Sequence, residues 1–174
     1  MNIVYSSSDY YFKPTLVSIY SLLKNSVENH KIILLSSGIS RENQLKFENL
    51  VTSMHSEPSV IEIEEILETK ALKMNLPIMR GNYSTYARLF LSEILDLDSV
   101  LLIDSDTLVV GDISNIMNEI NEDGIMFASR DFVISNKYSN HEDKDLSEKK
   151  YFNMGILYTN LSNWRKNDIS SIFK

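Results

Sequence analysis

The stretch of residues 100–107 limits the fold more than any other part of this chain. It reads Val-Leu-Leu-Ile-Asp-Ser-Asp-Thr, so an apolar run leads directly into two carboxylates, Asp104 and Asp106. A short continuous apolar run is typical of a strand that is buried on both faces of a parallel sheet. In open α/β sheets, ligands bind beyond the carboxyl ends of such strands. The stretch therefore predicts an α/β fold with both carboxylates at the ligand-binding edge.

The spacing of the two aspartates suits a hard divalent cation. If strand geometry continues past Ile103, the side chains of Asp104 and Asp106 point to the same side, and no basic residue lies beside them. Clustered carboxylates are preferred ligands of Mg²⁺ and Mn²⁺. The alternative is a pair of solvated turn aspartates.

Composition and charge exclude several classes of protein. The chain has 174 residues and no cysteine, which rules out a disulfide framework, a zinc knuckle and a thiol nucleophile. Its net charge of −7 argues against nucleic-acid binding. The spacing of its glycines matches neither common phosphate-binding loop. If an acidic chain of this kind binds a nucleotide diphosphate, a cation held by Asp104 and Asp106 would have to neutralise the phosphate charge. We expect one domain over residues 1–174.

The N-terminal residues and the hydropathy of the chain predict a cytoplasmic protein. The first residues lack a basic segment followed by an apolar core, which a secretory signal would need. No apolar run approaches the roughly 20 residues that span a bilayer.

Hydrophobic periodicity predicts the order of helices and strands. Strands are expected at 2–6, 31–36 and 60–63, with helices between them that begin near Pro14 and after Ser40. This βαβαβ order is typical of a Rossmann-type, twisted, mostly parallel sheet flanked by helices. Further along, we expect a helix at 85–93, a strand extension at 108–110, strands at 124–129 and 152–159, and a helix from 161. Residues 135–150 are polar and predict a solvated loop or, alternatively, a mobile lid.

Five segments, in order along the chain, carry a family resemblance. They are Ile-Val-Tyr-Ser-Ser-Ser-Asp-Tyr-Tyr at 3–11, Ser-Thr-Tyr-Ala-Arg-Leu at 84–89, Leu-Leu-Ile-Asp-Ser-Asp-Thr-Leu-Val at 101–109, Ser-Arg-Asp at 129–131, and Tyr-Phe-Asn-Met-Gly-Ile-Leu at 151–157, which is followed by Asn-Leu at 160–161 and Trp-Arg at 164–165. Together they resemble glycosyltransferase family 8, the retaining transferases that use UDP-sugars on a GT-A fold. The resemblance covers nearly the whole chain.

The resemblance implies a role for each matching position. It places a divalent cation, Mn²⁺ or Mg²⁺, on Asp104 and Asp106, and assigns catalysis to Arg88, Asp131 and Asn153. One aromatic ring of the N-terminal segment is expected to stack on uracil. The implied nucleotide-sugar contacts are Ser6, Ser7, Ser8, Asp9, Tyr10, Tyr11, Arg88, Asp104, Ser105, Asp131 and Asn153.

Two departures from the family pattern affect the expected activity. The uridine turn has Ser8 where the family commonly has a second acidic residue, so that contact would be neutral. The family pattern also continues beyond residue 174, with a histidine metal ligand and a lysine for the diphosphate. We therefore expect donor binding to be more robust than turnover, and a partner chain or self-association could cover the edge left at the C-terminus.

The resemblance implies a metal-dependent transferase that moves glucose or galactose from a UDP-sugar, with retention, to a saccharide, glycoprotein or glycolipid. Two alternatives remain open at this point. One is a truncated, non-catalytic module that binds UDP-sugar. The other is a phosphatase of the haloacid-dehalogenase type, because Asp104-Ser-Asp106-Thr resembles the nucleophile motif of that class.

Overall fold

A computed structural model describes residues 1–79, 81–121, 123–138 and 151–173. Its strands are β1 Asn2–Ser8, β2 Lys31–Ser37, β3 Glu57–Glu62, β4 Ser99–Ile103, β5 Met126–Arg130 and β6 Phe152–Asn160. Its α-helices are α1 Phe12–Asn25, α2 Arg41–Ser53, α3 Glu64–Lys73, α4 Leu91–Ile94, α5 Phe132–Tyr138 and α6 Leu161–Lys166. Four 3-10 helices lie at Asp9–Tyr11, Ser84–Leu89, Ser114–Glu119 and Ile169–Phe173.

The strands form one mixed sheet in the order β3-β2-β1-β4-β6-β5. The first four in this order are mutually parallel, and β6 lies antiparallel to both β4 and β5. The predicted α/β fold, a mostly parallel sheet with flanking helices, is confirmed. The antiparallel direction of β6 brings its first residues to the edge where β1 and β4 end.

Side-chain alternation along the central strands builds a core on each face of the sheet. In β1, Ile3 and Tyr5 pack on one face with α1 and α2, while Val4 between them packs on the other face. Strand β4 divides in the same way, with Leu101 and Ile103 on the first face. The second face is covered by α3, the segment at 87–95 and α6. The apolar run before Asp104 is therefore buried on both faces, as predicted.

Local sequence signals, such as proline and helix-capping residues, predicted most ends of helices and strands to within a few residues of those in the structure. Pro14 lies in the first turn of α1, where a missing N–H costs no hydrogen bond, and Ser40 is the N-cap residue of α2. The predicted helix at 85–93 is instead the 3-10 helix at Ser84–Leu89 followed by the single turn of α4.

The predicted strand extension at 108–110 is wrong. The chain turns directly after β4, because Thr107 donates from its N–H and its hydroxyl to the carbonyl of Asp104. The N–H of Val109 then donates to Ser21 Oγ on α1 at 2.9 Å. Side chains of α1, rather than a neighbouring strand, therefore satisfy this segment.

The predicted loop or lid at 135–150 lies largely outside the described residues. Its first residues belong to α5, and 139–150 are not described. In the described part of the chain, no helix combines the length and apolar character that a membrane span requires.

Candidate functional site

A cavity of about 110 Å³ opens at the edge of the sheet where β1 and β4 end. Both aspartates of the predicted metal site line it, together with Arg88 from the 3-10 helix at Ser84–Leu89. The edge is the one predicted from the apolar run, because parallel strands end side by side there. The described residues that line the cavity are Ser6, Tyr11, Met79, Asn82, Ser84, Thr85, Arg88, Leu102, Asp104, Ser105 and Asp106.

An ion pair joins the predicted arginine to the first aspartate. Arg88 Nη2 donates to Asp104 Oδ1 at 3.0 Å, and the arginine side chain is only 20% exposed. Two further donors of Arg88 are occupied by main-chain carbonyls, with Nη1 on Met154 at 2.8 Å and Nε on Thr85 at 3.0 Å. A basic partner for the aspartates was not predicted, because the contact joins segments that are 16 residues apart in the chain.

The start of β6 meets the other side of Asp104. The N–H of Asp104 donates to the carbonyl of Gly155 at 2.7 Å. A Cβ added at Gly155 would lie 3.1 Å from Asp104 Oδ2 and 3.0 Å from Asn153 Oδ1. Both oxygens therefore face the space that the missing side chain leaves, and Asn153 lies beside the first aspartate. Asn153 Oδ1 accepts the N–H of Gly155 at 2.8 Å.

The two carboxylates share the cavity for a different reason from the one predicted. Strand β4 ends at Ile103, and Ser105 and Asp106 form a turn, so the expectation of continued strand geometry is wrong. Ser105 is buried and donates from its hydroxyl to the carbonyl of Ser6 at 3.2 Å, which fixes the turn to β1. Asp106 is exposed beside it. Among the described residues, no donor contacts its carboxylate.

The N-terminal segment divides between the cavity and the protein interior. Ser6 and Tyr11 line the cavity, and the Ser6 hydroxyl donates to the carbonyl of Ser84. Ser7 is buried against Thr15, with 2.7 Å between their hydroxyl oxygens. Tyr10 is 87% exposed and stacks edge-on against Tyr11.

The remaining two residues of this segment lie outside the cavity lining. Ser8 ends β1 in extended backbone. Asp9 holds the start of α2, where its carboxylate accepts hydrogen bonds from Asn43 and from the main-chain N–H of Ser40. These bonds stabilise the charged carboxylate and lower the pKa of Asp9. A contact between uridine and any residue of 6–11 stays a prediction.

Asp131 follows β5 and starts the next helix. Its Oδ1 accepts the N–H of Ile134 at 2.9 Å, which caps the first turn of α5. It is not one of the described residues that line the cavity, and neither is Asn153. Their predicted roles in sugar binding and catalysis therefore stay predictions.

Sequence reasoning missed part of the cavity lining. Met79, Asn82, Ser84, Thr85 and Leu102 all face it, although only the arginine of the neighbouring segment was singled out. Asn82 Oδ1 accepts both the N–H and the hydroxyl of Ser84, at 2.9 and 2.6 Å. An Asn-x-Ser turn of this kind is a recognisable local signal, and it shapes the wall that carries Arg88.

The oxygen atoms of this site fit a hard divalent cation. Asp104 Oδ2 and Asp106 are carboxylate ligands of the type that Mg²⁺ and Mn²⁺ prefer, and Asp104 Oδ1 is already held by Arg88. Across the described ranges, no three histidine or acidic side chains converge on one point. The two aspartates would thus leave coordination positions for water or for ligand phosphate oxygens.

The mixed sheet and its flanking helices form a fold of the GT-A type, and the chain belongs to glycosyl transferase family 8. The model of that family matches residues 2–173. The match confirms the predicted family. It also replaces the phosphatase interpretation of the two aspartates.

Individual relatives agree with the family assignment. A Haemophilus influenzae protein, provisionally named a glycosyltransferase, is 29% identical over 171 residues, which is 97% of this chain and 51% of that protein. A crystal structure of the galactosyltransferase LgtC with donor and acceptor sugar analogs is 25% identical, with a TM-score of 0.79, over 99% of this chain and 63% of LgtC. GlyE of Streptococcus pneumoniae, 20% identical with a TM-score of 0.68 over 98% of this chain and 36% of GlyE, shares the fold. The chain thus spans about half the length of the curated relative.

Proposed function

We propose that this chain binds a UDP-sugar and takes part in transferring its hexose, with retention, to an acceptor hydroxyl, in a reaction that depends on Mn²⁺ or Mg²⁺. One observation carries the proposal: Asp104, Asp106 and Arg88 line a single cavity at the carboxyl edge of a GT-A sheet. The likeness to LgtC supports a sugar donor and a sugar acceptor, and makes galactose the first donor to test. Glucose is the second, and the acceptor is a saccharide, glycoprotein or glycolipid.

The charges in the cavity explain why a cation belongs to this proposal. The protein carries a net charge of −7, and Asp104 and Asp106 add negative charge where an anionic diphosphate would bind. When bound, a divalent cation neutralises charge that develops on a departing diphosphate. The two aspartates would hold it.

Arg88 supplies donors to the same space. Three of its five N–H groups are engaged by Thr85, Met154 and Asp104, so its guanidinium is fixed in advance. The remaining N–H groups are available to a phosphate or sugar oxygen. Because the group is held before a ligand arrives, little side-chain entropy is lost on binding.

A nucleotide-sugar panel tests this function directly. We expect thermal stabilisation by UDP-galactose, UDP-glucose or UDP only in the presence of Mn²⁺, and loss of that stabilisation in Asp106→Ala. Asp98→Ala serves as the matched control, because Asp98 precedes β4 at its opposite end and contacts Ser162. A chain that no uridine nucleotide stabilises with Mn²⁺ contradicts the proposal.

A second candidate is a binding module that does not turn over. It is favoured by the metal site itself, which has two acidic ligands among the described residues and no third. Calorimetry with UDP and Mn²⁺, followed by an assay of UDP release from each donor, separates the two functions. Binding without release supports the module, whereas release that requires Mn²⁺ and Asp106 supports the transferase.

A further inference from the structure

Asp104 and Asp106 differ in how the protein holds them, although the sequence presents them as an equivalent pair. Asp104 is fixed at three points: its N–H lies on Gly155, its carbonyl accepts from Thr107, and its Oδ1 accepts from Arg88. Asp106 is exposed, and no donor within the described ranges contacts its carboxylate. One carboxylate is therefore preset, and the other is free to adjust.

Two neighbouring residues of strand β6, Met154 and Gly155, set the orientation of the Asp104 carboxylate. The carbonyl of Met154 holds Arg88 Nη1 at 2.8 Å, so the arginine is anchored to β6 while it contacts the carboxylate. The next residue, Gly155, has no Cβ, and an added one would lie 3.1 Å from Asp104 Oδ2. That distance is shorter than ordinary van der Waals contact, so the carboxylate would have to move.

We infer that Arg88 and Gly155 are positioning residues for Asp104: the arginine occupies Oδ1 and the absent side chain leaves room for Oδ2. Asp104 would then offer one oxygen to a cation, whereas both oxygens of Asp106 are unengaged within the described ranges, so Asp106 would be the principal ligand. This inference rests on the proposed function, because it assumes that the two aspartates bind the metal. It adds a division of roles between them.

The charge of Arg88 gives the inference a distinctive signature. Among the described residues that line the cavity, Arg88 brings one positive charge to two carboxylates, and it blocks one carboxylate oxygen. Removing it frees Oδ1 and removes repulsion on an incoming cation. Arg88→Gln should therefore bind free Mn²⁺ more tightly while it loses turnover. If the substitution only disordered the side chains of the site, Mn²⁺ binding would become weaker instead.

Gly155→Ala should act in the opposite direction. The added methyl group displaces Asp104 Oδ2 and disturbs Asn153, while Arg88 keeps its charge. No left-handed backbone is required at Gly155, so alanine introduces no backbone strain of its own. Gly111→Ala is the matched control, because a Cβ there meets no atom within 4 Å.

The test is a Mn²⁺ titration of the whole chain, with free Mn²⁺ followed by electron paramagnetic resonance, with and without UDP. Without UDP, we expect affinity to rise about fivefold or more in Arg88→Gln and to fall by about as much in Gly155→Ala, from the electrostatic and steric changes described. Gly111→Ala should match the wild type. Unchanged or weaker binding in Arg88→Gln, or unchanged binding in Gly155→Ala, overturns the inference.

A second pair of variants keeps the inference testable if Arg88→Gln does not fold. Asp106→Asn should weaken Mn²⁺ binding several-fold more than Asp104→Asn, because Asp104 offers a single oxygen. Equal losses, or a larger loss at Asp104, contradict the division of roles. A wild-type chain that binds no Mn²⁺, with or without UDP, removes the proposed function as well, whereas wild-type binding with the wrong order of variants removes only this inference.

Discussion

The carboxylate of Asp9 accepts the main-chain N–H of Ser40 at 3.0 Å, across the gap between the end of β1 and the start of α2. The same oxygen accepts Asn43 Nδ2 at 2.9 Å. A negative charge at this position also interacts favourably with the helix dipole. A residue of the predicted uridine turn therefore has a structural role that the sequence motif does not reveal.

We predict that Asp9→Asn lowers the free energy of unfolding by about 0.5 kcal/mol at pH 7, because an anionic helix cap becomes neutral. The pKa of Asp9 is lowered in the folded state by the bond from Asn43 and then by that from Ser40. The contribution of Asp9 to the free energy of unfolding is therefore present above the pKa that it has in the unfolded chain. It is lost as the pH falls through the pKa that it has in the folded protein. Urea unfolding at pH 7 and pH 2.5 measures this. Asp96→Asn is the control, because Asp96 is an exposed aspartate outside the helices. Equal stability of the two variants at pH 7 would count against the cap.

His30 is a buried imidazole with no hydrogen-bond partner for either ring nitrogen among the described residues. Burial, followed by the nearby N-terminal amine, lowers its pKa, while Glu28 and Asp112 act in the opposite direction. Between the lowered pKa of His30 in the folded state and its ordinary pKa in the unfolded state, the unfolded chain binds more protons than the folded one. Stability should be complete above the unfolded pKa, about 6.5, and should decline as the pH falls through the folded value.

We predict that His30→Leu flattens the loss of stability between pH 7 and pH 5, since it removes the group that must stay neutral in the fold. Urea midpoints across this range measure the slope. His55→Asn is the matched control, because His55 is exposed and its φ of 58° suits asparagine. A wild-type slope in His30→Leu would show that other groups set it.

Arg165 lies in α6, and its guanidinium closes the end of α4. It donates to the carbonyls of Ser92, Leu95 and Leu97, the last at 2.7 Å. We predict that Arg165→Met lowers the free energy of unfolding by about 1–3 kcal/mol, because charged hydrogen bonds to these carbonyls are lost. Chemical denaturation gives the value, and Lys166→Met is the neighbouring exposed control. A change as small as the control would assign Arg165 no structural role.

Tyr5 is fully buried, and its hydroxyl lies 3.1 Å from Ser18 Oγ. Burial raises its pKa to about 12. Its neutral form therefore favours the fold below the unfolded pKa of about 10, and this contribution is lost as the pH rises through the folded value. In an ultraviolet titration we expect Tyr5→Phe to remove an ionisation near pH 12, whereas the control Tyr10→Phe, at an exposed tyrosine, should leave that ionisation in place. Loss of the same ionisation in both variants would contradict this.

The parts of the fold that depend on local pattern were predictable. The apolar run before Asp104 identified a doubly buried strand, and Ser40 marked the start of α2. The position of Asp104 and Asp106 at the ligand edge followed from the topology rule for parallel sheets.

The contacts that organise the site could not be predicted, because they depend on tertiary structure. Nothing near Arg88 in the sequence indicates that it meets the carbonyl of Met154, 66 residues later. The capping roles of Asp9 and Asp131 also depend on tertiary or unpredicted structure. Asp9 caps α2, which lies outside its own motif, and Asp131 caps α5, a helix that the sequence pattern did not predict. A family motif names positions, but the same side chain can serve structure, ligand or both.

Strand β6 is the last strand of the described chain, yet it lies between β4 and β5, and β5 pairs in the sheet only with β6 among the described strands. During synthesis, the chain up to β5 can form the parallel four-stranded part, but β5 has no partner and Arg88 lacks its Met154 anchor. Pairings between distant segments form slowly because of the loop entropy that they must overcome. The contacts that hold Asp104 and Arg88 are therefore completed late in folding. Under the proposed function, ribosome-bound chains that have not yet exposed residue 160 should lack metal-dependent nucleotide binding.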